Sequence, residues 1–262
     1  MKENNKKLFV AESKEDIPVV NMWTPLDTKV DESYNYIPKS FLFKLFSFLL
    51  HIIAIPVLLL YNKIFFGLKI EGRKNLKNVY NSPFISVCNH VHIVDCSMVA
   101  LALCKFNLYY PTLKQNVDIP GINIIVRLLG GVPIPTKVKA FNKFYEAVSE
   151  AIKGGNSVHI YPEGILSPYY NGVREFKRGA FKIAYDNNVP IVPMMITYRK
   201  SKGWRKITNK KPLLNISILT PVFPDYGIEE RAAIEKMMND CYEQMEMKNK
   251  ECELNRETER VS

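Results

Sequence analysis

The sequence predicts an α/β domain in which a mixed, largely parallel sheet is flanked by helices, preceded by an N-terminal membrane-associated helical motif. From residue 70 onward, short apolar runs alternate with amphipathic helical patterns, as expected of an α/β domain. Several of these runs are continuously apolar, which is typical of strands covered on both faces. Ahead of them lies an uncharged apolar stretch long enough to reach across a bilayer.

The region before the sheet divides into two parts. Residues 1–40 are polar and mixed in charge, which predicts an irregular N-terminal arm. Residues 41–66 form the apolar motif, and 18 of them, 45–62, carry no formal charge. Pro56 removes one helix hydrogen bond halfway along this stretch. A single span and a helix–break–helix that dips into one leaflet both fit, and a buried core helix is the third interpretation.

Residues 67–248 hold the strands and helices of the predicted domain. The strand candidates are the apolar runs 83–89, 108–113, 132–135, 157–161, 190–198 and 213–220. The helix candidates are the segments with a 3.6-residue apolar period, 94–104, 119–129, 137–153, 174–187 and 228–248. Residues 249–262 are expected to be a frayed tail.

Charge and cysteine usage restrict the partners and the compartment. The chain has 36 Lys and Arg against 26 Asp and Glu, a net charge of +10, which favours an anionic partner such as nucleic acid, a membrane surface or a phosphorylated substrate. Five cysteines without CxxC pairing indicate neither a disulfide framework nor a structural zinc site. Residues 1–16, which precede the apolar motif, contain an apolar stretch of only four residues. That stretch is too short for a signal peptide, so the cytosolic side is expected.

The segment 88–98, CNHVHIVDCSM, carries the most chemical information. An apolar strand ends at Asn89-His90, and a helix is expected to begin near Asp95. Across such a turn, a carboxylate five residues on can bond one imidazole nitrogen and leave the other as a general base in a cleft. The spacing alone is weak evidence, because Asp95 could equally serve as the N-cap of the helix.

Other chemistries compete for the same segment. His90 and His92 could share one face of a metal site, but His51 and His159 are the only other histidines, so the supply of ligands is short. Cys88 could be a thiol nucleophile, although a small buried cysteine in a strand is the simpler interpretation.

A basic segment lies between the last two predicted strands. Residues 198–211, YRKSKGWRKITNKK, contain seven basic residues. Contact with anionic lipid headgroups and simple solvation both fit this pattern. No nucleic-acid module frames the segment, so nucleic acid is not expected as a partner.

Six motifs occur in a fixed order along the chain: NHVHIVD, Lys114 with Pro120-Gly121, GGVPIPT, YPEGILS, FKRGAFKIA and VPIVPM. In this order they resemble the glycerolipid acyltransferase family, whose type members are 1-acylglycerol-3-phosphate acyltransferases. The resemblance runs from about residue 70 to residue 220 and includes the N-terminal helical motif. It implies that residues 67–248 are an acyltransferase domain of phospholipid biosynthesis.

The resemblance also implies roles for individual residues. His90 would be the general base and Asp95 its partner, with the acceptor hydroxyl attacking the thioester of acyl-CoA or acyl carrier protein directly. No cofactor and no metal is implied. The partners would be a lysophospholipid acceptor, the acyl donor and an anionic membrane surface, on the cytosolic face. The implied substrate-binding residues are Asn89, Lys114, Glu163, Gly164, Lys177 and Arg178.

The sequence departs from the family pattern where arginines usually hold the acceptor's phosphate. Thr136 ends GGVPIPT, and Ile165-Leu166 follow Glu163-Gly164. An apolar side chain cannot replace a guanidinium. Three interpretations follow: another cation supplies the charge, the acceptor is a different lysolipid, or the protein is a non-catalytic lipid-binding relative. The candidate cations are Lys137, Arg174, Lys177 and Arg178.

Overall fold

The computed structural model describes residues 26–201 and 212–261. Within them, seven strands form one sheet in the order β1-β7-β6-β2-β5-β3-β4. Neighbouring strands are parallel except β6 and β7, which are antiparallel. The strands are β1 Lys69–Glu71, β2 Ile85–Cys88, β3 Leu108–Leu113, β4 Gly131–Ile134, β5 Ser157–Ile160, β6 Ile191–Arg199 and β7 Leu213–Ile218.

Helices cover both faces of this sheet. They are α1 Phe41–Phe66, α2 Asp95–Ala102, α3 Lys114–Val117, α4 Ile122–Leu128, α5 Val138–Lys153, α6 Gly179–Asp186 and α7 Glu230–Val261, with a 3₁₀ turn at Arg73–Val79. The cores on the two faces draw on alternate residues of the central strands, as strand geometry requires. Ile85 and Val87 pack with α5, α6 and α7, whereas Phe84 and Cys88 pack with α2. The predicted fold class is confirmed.

The apolar motif is one continuous helix. The Ser40 hydroxyl accepts a hydrogen bond from the Phe43 amide at its start, and Gly67 ends it with φ of 56°. Pro56 lies inside the helix without ending it, so the helix–break–helix alternative is not what the structure has. Among the described residues, α1 is the one helix long and apolar enough to cross a membrane, with a mean hydropathy of 2.3.

One side of α1 docks on the domain. Asn62, the one buried residue of α1, donates a hydrogen bond to the Ser97 hydroxyl of α2 at 2.9 Å. Near the other end, the Ser47 hydroxyl donates to the Leu128 carbonyl of α4 at 2.6 Å. The rest of the helix presents large apolar side chains outward, which argues against the buried-core interpretation of this segment.

The structure corrects three predictions: one strand was missed, one helix begins later than expected, and the C-terminal tail is helical. β1 was absent from the predicted strands because three residues with one half-buried member give no apolar run. α6 begins at Gly179, not residue 174, because the Arg174 and Lys177 amides bond the loop after β5. The expectation of a frayed tail after residue 249 is wrong: α7 continues to Val261, and Glu253 and Arg256 both contact Asn171.

Two predicted features fall partly outside the description. Residues 26–40 of the N-terminal arm contain no helix or strand, as expected, whereas residues 1–25 lie outside the described part of the chain. The basic segment 198–211 is described only as far as residue 201.

Candidate active site

The segment that follows β2 brings an imidazole and a carboxylate together. Nδ1 of His90 lies 2.8 Å from Oδ2 of Asp95, the first residue of α2. The same oxygen accepts hydrogen bonds from the amides of Val91 at 3.0 Å and His92 at 3.3 Å. Val94 occupies the cap position of α2, so the N-cap alternative for Asp95 does not apply.

The two side chains differ in access to solvent. Asp95 is 1% exposed, whereas the His90 side chain is 24% exposed. Since Nδ1 is held by the carboxylate, Nε2 is the nitrogen left for chemistry, and no described residue hydrogen-bonds it. A buried carboxylate that fixes one imidazole nitrogen while the other stays accessible is the arrangement of an oriented general base.

Tyr161, the residue after β5, completes this cluster; it begins the motif YPEGILS, but the sequence predicted no role for it. Its ring is stacked on His90 with centroids 3.9 Å apart and planes 13° apart. Its hydroxyl donates to Oδ1 of Asp95 at 2.7 Å. Burial and the charge of Asp95 raise the pKa of the Tyr161 phenol well above its usual value, so the hydroxyl remains a donor.

Glu163 connects the loops that follow β2 and β5. Its carboxylate accepts hydrogen bonds from the amides of His90 at 3.4 Å and Arg174 at 3.2 Å. The residue is 4% exposed, and burial raises the pKa of its carboxyl. Glu163 thus fixes the backbone of His90 relative to that of Arg174.

Gly164 makes a tight turn beside Glu163. Its φ of 72° disfavours any residue with a side chain, and an added Cβ would lie 2.7 Å from Nζ of Lys177. Lys177 therefore packs directly against this turn, with its own amide bonded to the Pro162 carbonyl at 2.8 Å. The structure thus brings two of the predicted substrate-binding residues together with Glu163.

The loop after Gly164 folds back over the segment that follows β2. The Ser167 amide bonds the His90 carbonyl at 2.9 Å, and the Tyr169 amide bonds the Val91 carbonyl at 2.9 Å. The Arg174 guanidinium donates to the Ser167 hydroxyl. A half-buried arginine therefore lies close to His90, although its position falls outside the family's arginine positions.

Three predicted substrate-binding residues have other surroundings. Asn89 is fully buried and its amide bonds both backbone groups of Ile196, at 3.0 and 2.8 Å, so it supports the strand end and does not face a ligand. Lys114 bonds the carboxylates of Asp118 at 2.8 Å and Asp27 at 3.3 Å. Arg178 is half-buried at the start of α6 and has no hydrogen bond to the His90 cluster among the described residues.

The side chains that could serve a metal or thiol mechanism have other roles. His159 is buried with Nδ1 2.9 Å from the Ser86 hydroxyl, and burial lowers its pKa to about 3. His92 packs edge-on against Phe66 at 4.8 Å. Burial raises the pKa of the Cys88 thiol well above its usual value, which makes it a poor nucleophile. The described residues contain no group of three or more potential ligands placed to hold a metal ion.

Comparison with known proteins agrees with this geometry. The Acyltransferase family model matches residues 67–197. The 1-acyl-sn-glycerol-3-phosphate acyltransferase of Salmonella typhimurium is 29% identical over 194 residues, which cover 70% of this chain and 74% of that protein. The enzyme of the same name from Escherichia coli is 27% identical over 192 residues, with the same two coverages.

Among solved structures, the 1-acyl-sn-glycerophosphate acyltransferase of Thermotoga maritima is similar, with 20% identity and a TM-score of 0.46. The similarity covers 78% of this chain and 96% of that one. The family model matches half of the chain and contains the His90–Asp95 pair as well as the Glu163 turn. The chain therefore belongs to the glycerolipid acyltransferase family.

Proposed function

We propose that this protein transfers a fatty acyl group from acyl-CoA or acyl carrier protein to the free hydroxyl of a lysophospholipid. The proposed acceptor is 1-acylglycerol-3-phosphate, and the product is phosphatidate. The observation that carries the proposal is the 2.8 Å contact between Nδ1 of His90 and the buried Asp95, with the His90 side chain 24% exposed and Nε2 bonded by no described residue.

The pair supports direct transfer without an acyl-enzyme. An alcohol has a very high pKa, so it needs a base at neutral pH, whereas a thiolate leaves readily. Nε2 of His90 takes the hydroxyl proton as the oxygen attacks the thioester carbon. Asp95 stabilises the imidazolium, and the proton passes to the thiolate as the carbon–sulfur bond breaks.

Arg174 is our candidate for the cation that binds the acceptor's phosphate. Its guanidinium bonds Ser167, whose amide is bonded to His90. Guanidinium binds phosphate through paired N–H donors, which match the oxygens of a phosphate group. The other candidates are less well placed: the charge of Lys137 acts on Asp31 in the N-terminal arm, and Nζ of Lys177 is buried against the turn.

A different lysolipid is the second candidate acceptor, favoured by the apolar Ile165-Leu166 after Gly164. A substrate with a larger headgroup, or with none, would need no guanidinium at that position. The two candidates differ in one property, the requirement for a phosphomonoester, and can be separated by that requirement.

The proposed location is the cytosolic face of a membrane, with α1 embedded in the lipid. Fourteen large apolar side chains of α1 are exposed, among them Phe41 at 77% and Ile53 at 65%. Exposure of such a large apolar surface to water is unfavourable, so we expect lipid to cover it. Proximity of α1 to the site, through the contact of Phe66 with His92, would hold His90 close to the lipid.

The test is an assay of the full-length protein in liposomes. Labelled acyl-CoA and acyl carrier protein are supplied with lysophosphatidic acid, lysophosphatidylcholine, lysophosphatidylglycerol and monoacylglycerol in parallel. We expect diacylated product from lysophosphatidic acid, and a loss of about 10²–10⁴-fold in His90→Ala, the usual contribution of a positioned base. His90→Ala with near wild-type turnover would disprove the mechanism, and product from another acceptor alone would disprove the named substrate.

A further inference from the structure

A tyrosine at the carboxyl end of β5 contacts both members of the proposed catalytic pair. β5 and β2 are parallel neighbours, with Ile160 opposite Val87, so the residues that follow the two strands meet at one edge of the sheet. Tyr161 is the first residue after β5, and His90 lies two residues after the end of β2. The sheet therefore places a phenol beside the imidazole.

The two contacts of Tyr161 are of different kinds. The phenol ring lies parallel to the imidazole at 3.9 Å, which limits rotation of the His90 ring out of its plane. The phenol hydroxyl bonds Oδ1 of Asp95, the oxygen that His90 does not use. Asp95 is thereby held from both oxygens and cannot turn away from the imidazole without breaking a hydrogen bond.

A neutral aromatic layer behind Tyr161 holds it in place. His159 of β5 packs edge-on against Tyr161 with centroids 4.5 Å apart. The Ser86 hydroxyl of β2 fixes the His159 ring through Nδ1 at 2.9 Å. His159 is buried and neutral, so it supports the phenol without adding a charge that would compete for Asp95.

We propose that Tyr161 is a positioning residue that fixes the plane of the His90 ring and weakens the attraction of Asp95 for the imidazole proton. The inference rests on the proposed role of His90 as the general base. A hydrogen bond from a neutral donor draws negative charge toward Oδ1, so Oδ2 attracts the imidazole proton less strongly. Removing this donor would strengthen the attraction of Oδ2 for the imidazole proton, and activity would then begin to fall at a higher pH on the acid side.

Two substitutions separate the two contacts. Tyr161→Phe keeps the stacked ring and removes the hydroxyl, whereas Tyr161→Leu removes both. For Tyr161→Phe we expect kcat to fall about 10- to 100-fold, the effect of losing a hydrogen bond to a charged group. We also expect the acid limb of the kcat/KM profile to move to higher pH, with KM for both substrates changed less than threefold. Tyr161→Leu should lose more of kcat.

Tyr198→Phe on β6 is the matched control. It removes a tyrosine hydroxyl that bonds the Tyr170 carbonyl at 3.1 Å and leaves the His90 cluster intact. This variant should keep the wild-type pH profile. If Tyr161→Phe does not fold, 3-fluorotyrosine at position 161 provides the second test, because it strengthens the donor and should move the acid limb to lower pH.

Two outcomes would overturn the inference. One is a Tyr161→Phe variant with the kcat and pH profile of the wild type. The other is an acid limb that moves the same way for Tyr161→Phe and for fluorotyrosine. Either result, together with an inactive His90→Ala, would leave the proposed function intact, whereas an active His90→Ala would disprove the proposed function itself.

Discussion

Asp95 concentrates the hydrogen bonds of the site on one buried carboxylate. Its two oxygens accept from His90, from two amides of the preceding turn and from Tyr161. Burying a carboxylate is costly unless it is fully hydrogen-bonded, and this arrangement meets that requirement. The same bonds that satisfy Asp95 fix the direction in which His90 points, so stability and orientation have one cause.

At the residue scale, we predict that Arg174 determines the use of phosphate-bearing acceptors. Arg174→Gln should raise KM for lysophosphatidic acid about 10-fold or more, because a hydrogen bond to a charged group is lost. KM for monoacylglycerol and for the acyl donor should stay the same. Steady-state kinetics in mixed micelles measures each of these constants.

Two further variants sharpen that experiment. Adding Leu166→Arg to Arg174→Gln should restore part of the affinity, since it returns a guanidinium to the usual family position. Lys137→Gln removes an exposed cation near Asp31 and is the matched control. An equal rise of KM for all acceptors in Arg174→Gln would argue for a structural role of Arg174.

Sequence alone identifies part of this site. His90 and Asp95 are five residues apart across one turn, so their spacing makes the contact possible, and the ordered motifs around them favour it over the N-cap alternative. Tyr161 and Arg174 reach the same place through strand pairing and a long loop, and no local spacing reports either contact. For Asn89 and Lys114 the motifs predicted substrate binding, but the structure gives both side chains other contacts. Asn89 is buried, and Lys114 bonds neighbouring carboxylates.

Among the elements, α1 combines an outward apolar surface with polar contacts to the domain. Asn62 and Ser47 each form a hydrogen bond to a neighbouring helix, while residues on other sides remain exposed. The polar contacts fix how the helix lies on the domain. The apolar surface is then free to contact lipid.

We predict that charges on the outer face of α1 weaken membrane binding without unfolding the domain. Ile53 and Val57 are 65% and 60% exposed and lie one turn apart. Ile53→Glu with Val57→Glu should cost about 5 kcal/mol of lipid insertion, because an acidic residue in a membrane helix costs roughly 2.5–3.5 kcal/mol. Vesicle flotation of the purified variant measures the change.

The control carries the same change in net charge elsewhere. Ala232→Glu with Asn239→Glu places two carboxylates on the exposed side of α7 and should float like the wild type. Unchanged flotation of the α1 variant would exclude this surface as the lipid contact.

The bounds of strands and helices were predicted correctly where an element is buried along its length. They were predicted wrongly where contacts between residues distant in sequence set the start or end of an element. The interior strands β2, β5 and β6 are mostly apolar and are buried along nearly their whole length, and they were predicted to within two residues. The end of α7 was not, because its last turns are polar and are held by Asn171, a contact distant in sequence. α6 starts late because Glu163 captures the amide of Arg174.

For the whole molecule, the sheet order places β2, and with it the segment that holds His90 and Asp95, at the centre of the sheet. β2 pairs with β6 on one side and β5 on the other, so the loops after these strands lie together. This order cannot be read from the chain, because both neighbours of β2, and the neighbour of β1, are distant from it in sequence. The fold class was nevertheless predicted correctly, because it depends on the alternation of strands and helices along the chain. That alternation is the same whatever the order of the strands in the sheet.

We predict that buried His159 makes the folded state sensitive to acid. Burial lowers the pKa of His159 to about 3, below the usual value of 6.5. Between these two pH values the unfolded chain binds a proton at His159 and the folded chain does not. The stability is fully present above pH 6.5 and is lost as pH falls toward 3. About 2 kcal/mol should disappear between pH 6.5 and about pH 5.

Denaturant unfolding of the full-length protein in detergent, at those two pH values, measures this loss. His159→Gln keeps a partner for Ser86 and removes the titration, so it should lose less stability than the wild type over the same interval. His51→Gln removes a histidine from α1 instead and should behave like the wild type. Equal losses in the wild type and His159→Gln would show that other groups cause the sensitivity.

The docking of α1 against α2 has a consequence for how substrates would arrive. Asn62 bonds Ser97 two residues after Asp95, and Phe66 touches His92 two residues after His90. A helix anchored in a leaflet would thus fix the depth of the reaction centre relative to the headgroups. Single-tailed lipids would then enter by lateral diffusion, and turnover would follow their mole fraction in the leaflet and not their amount per volume of water.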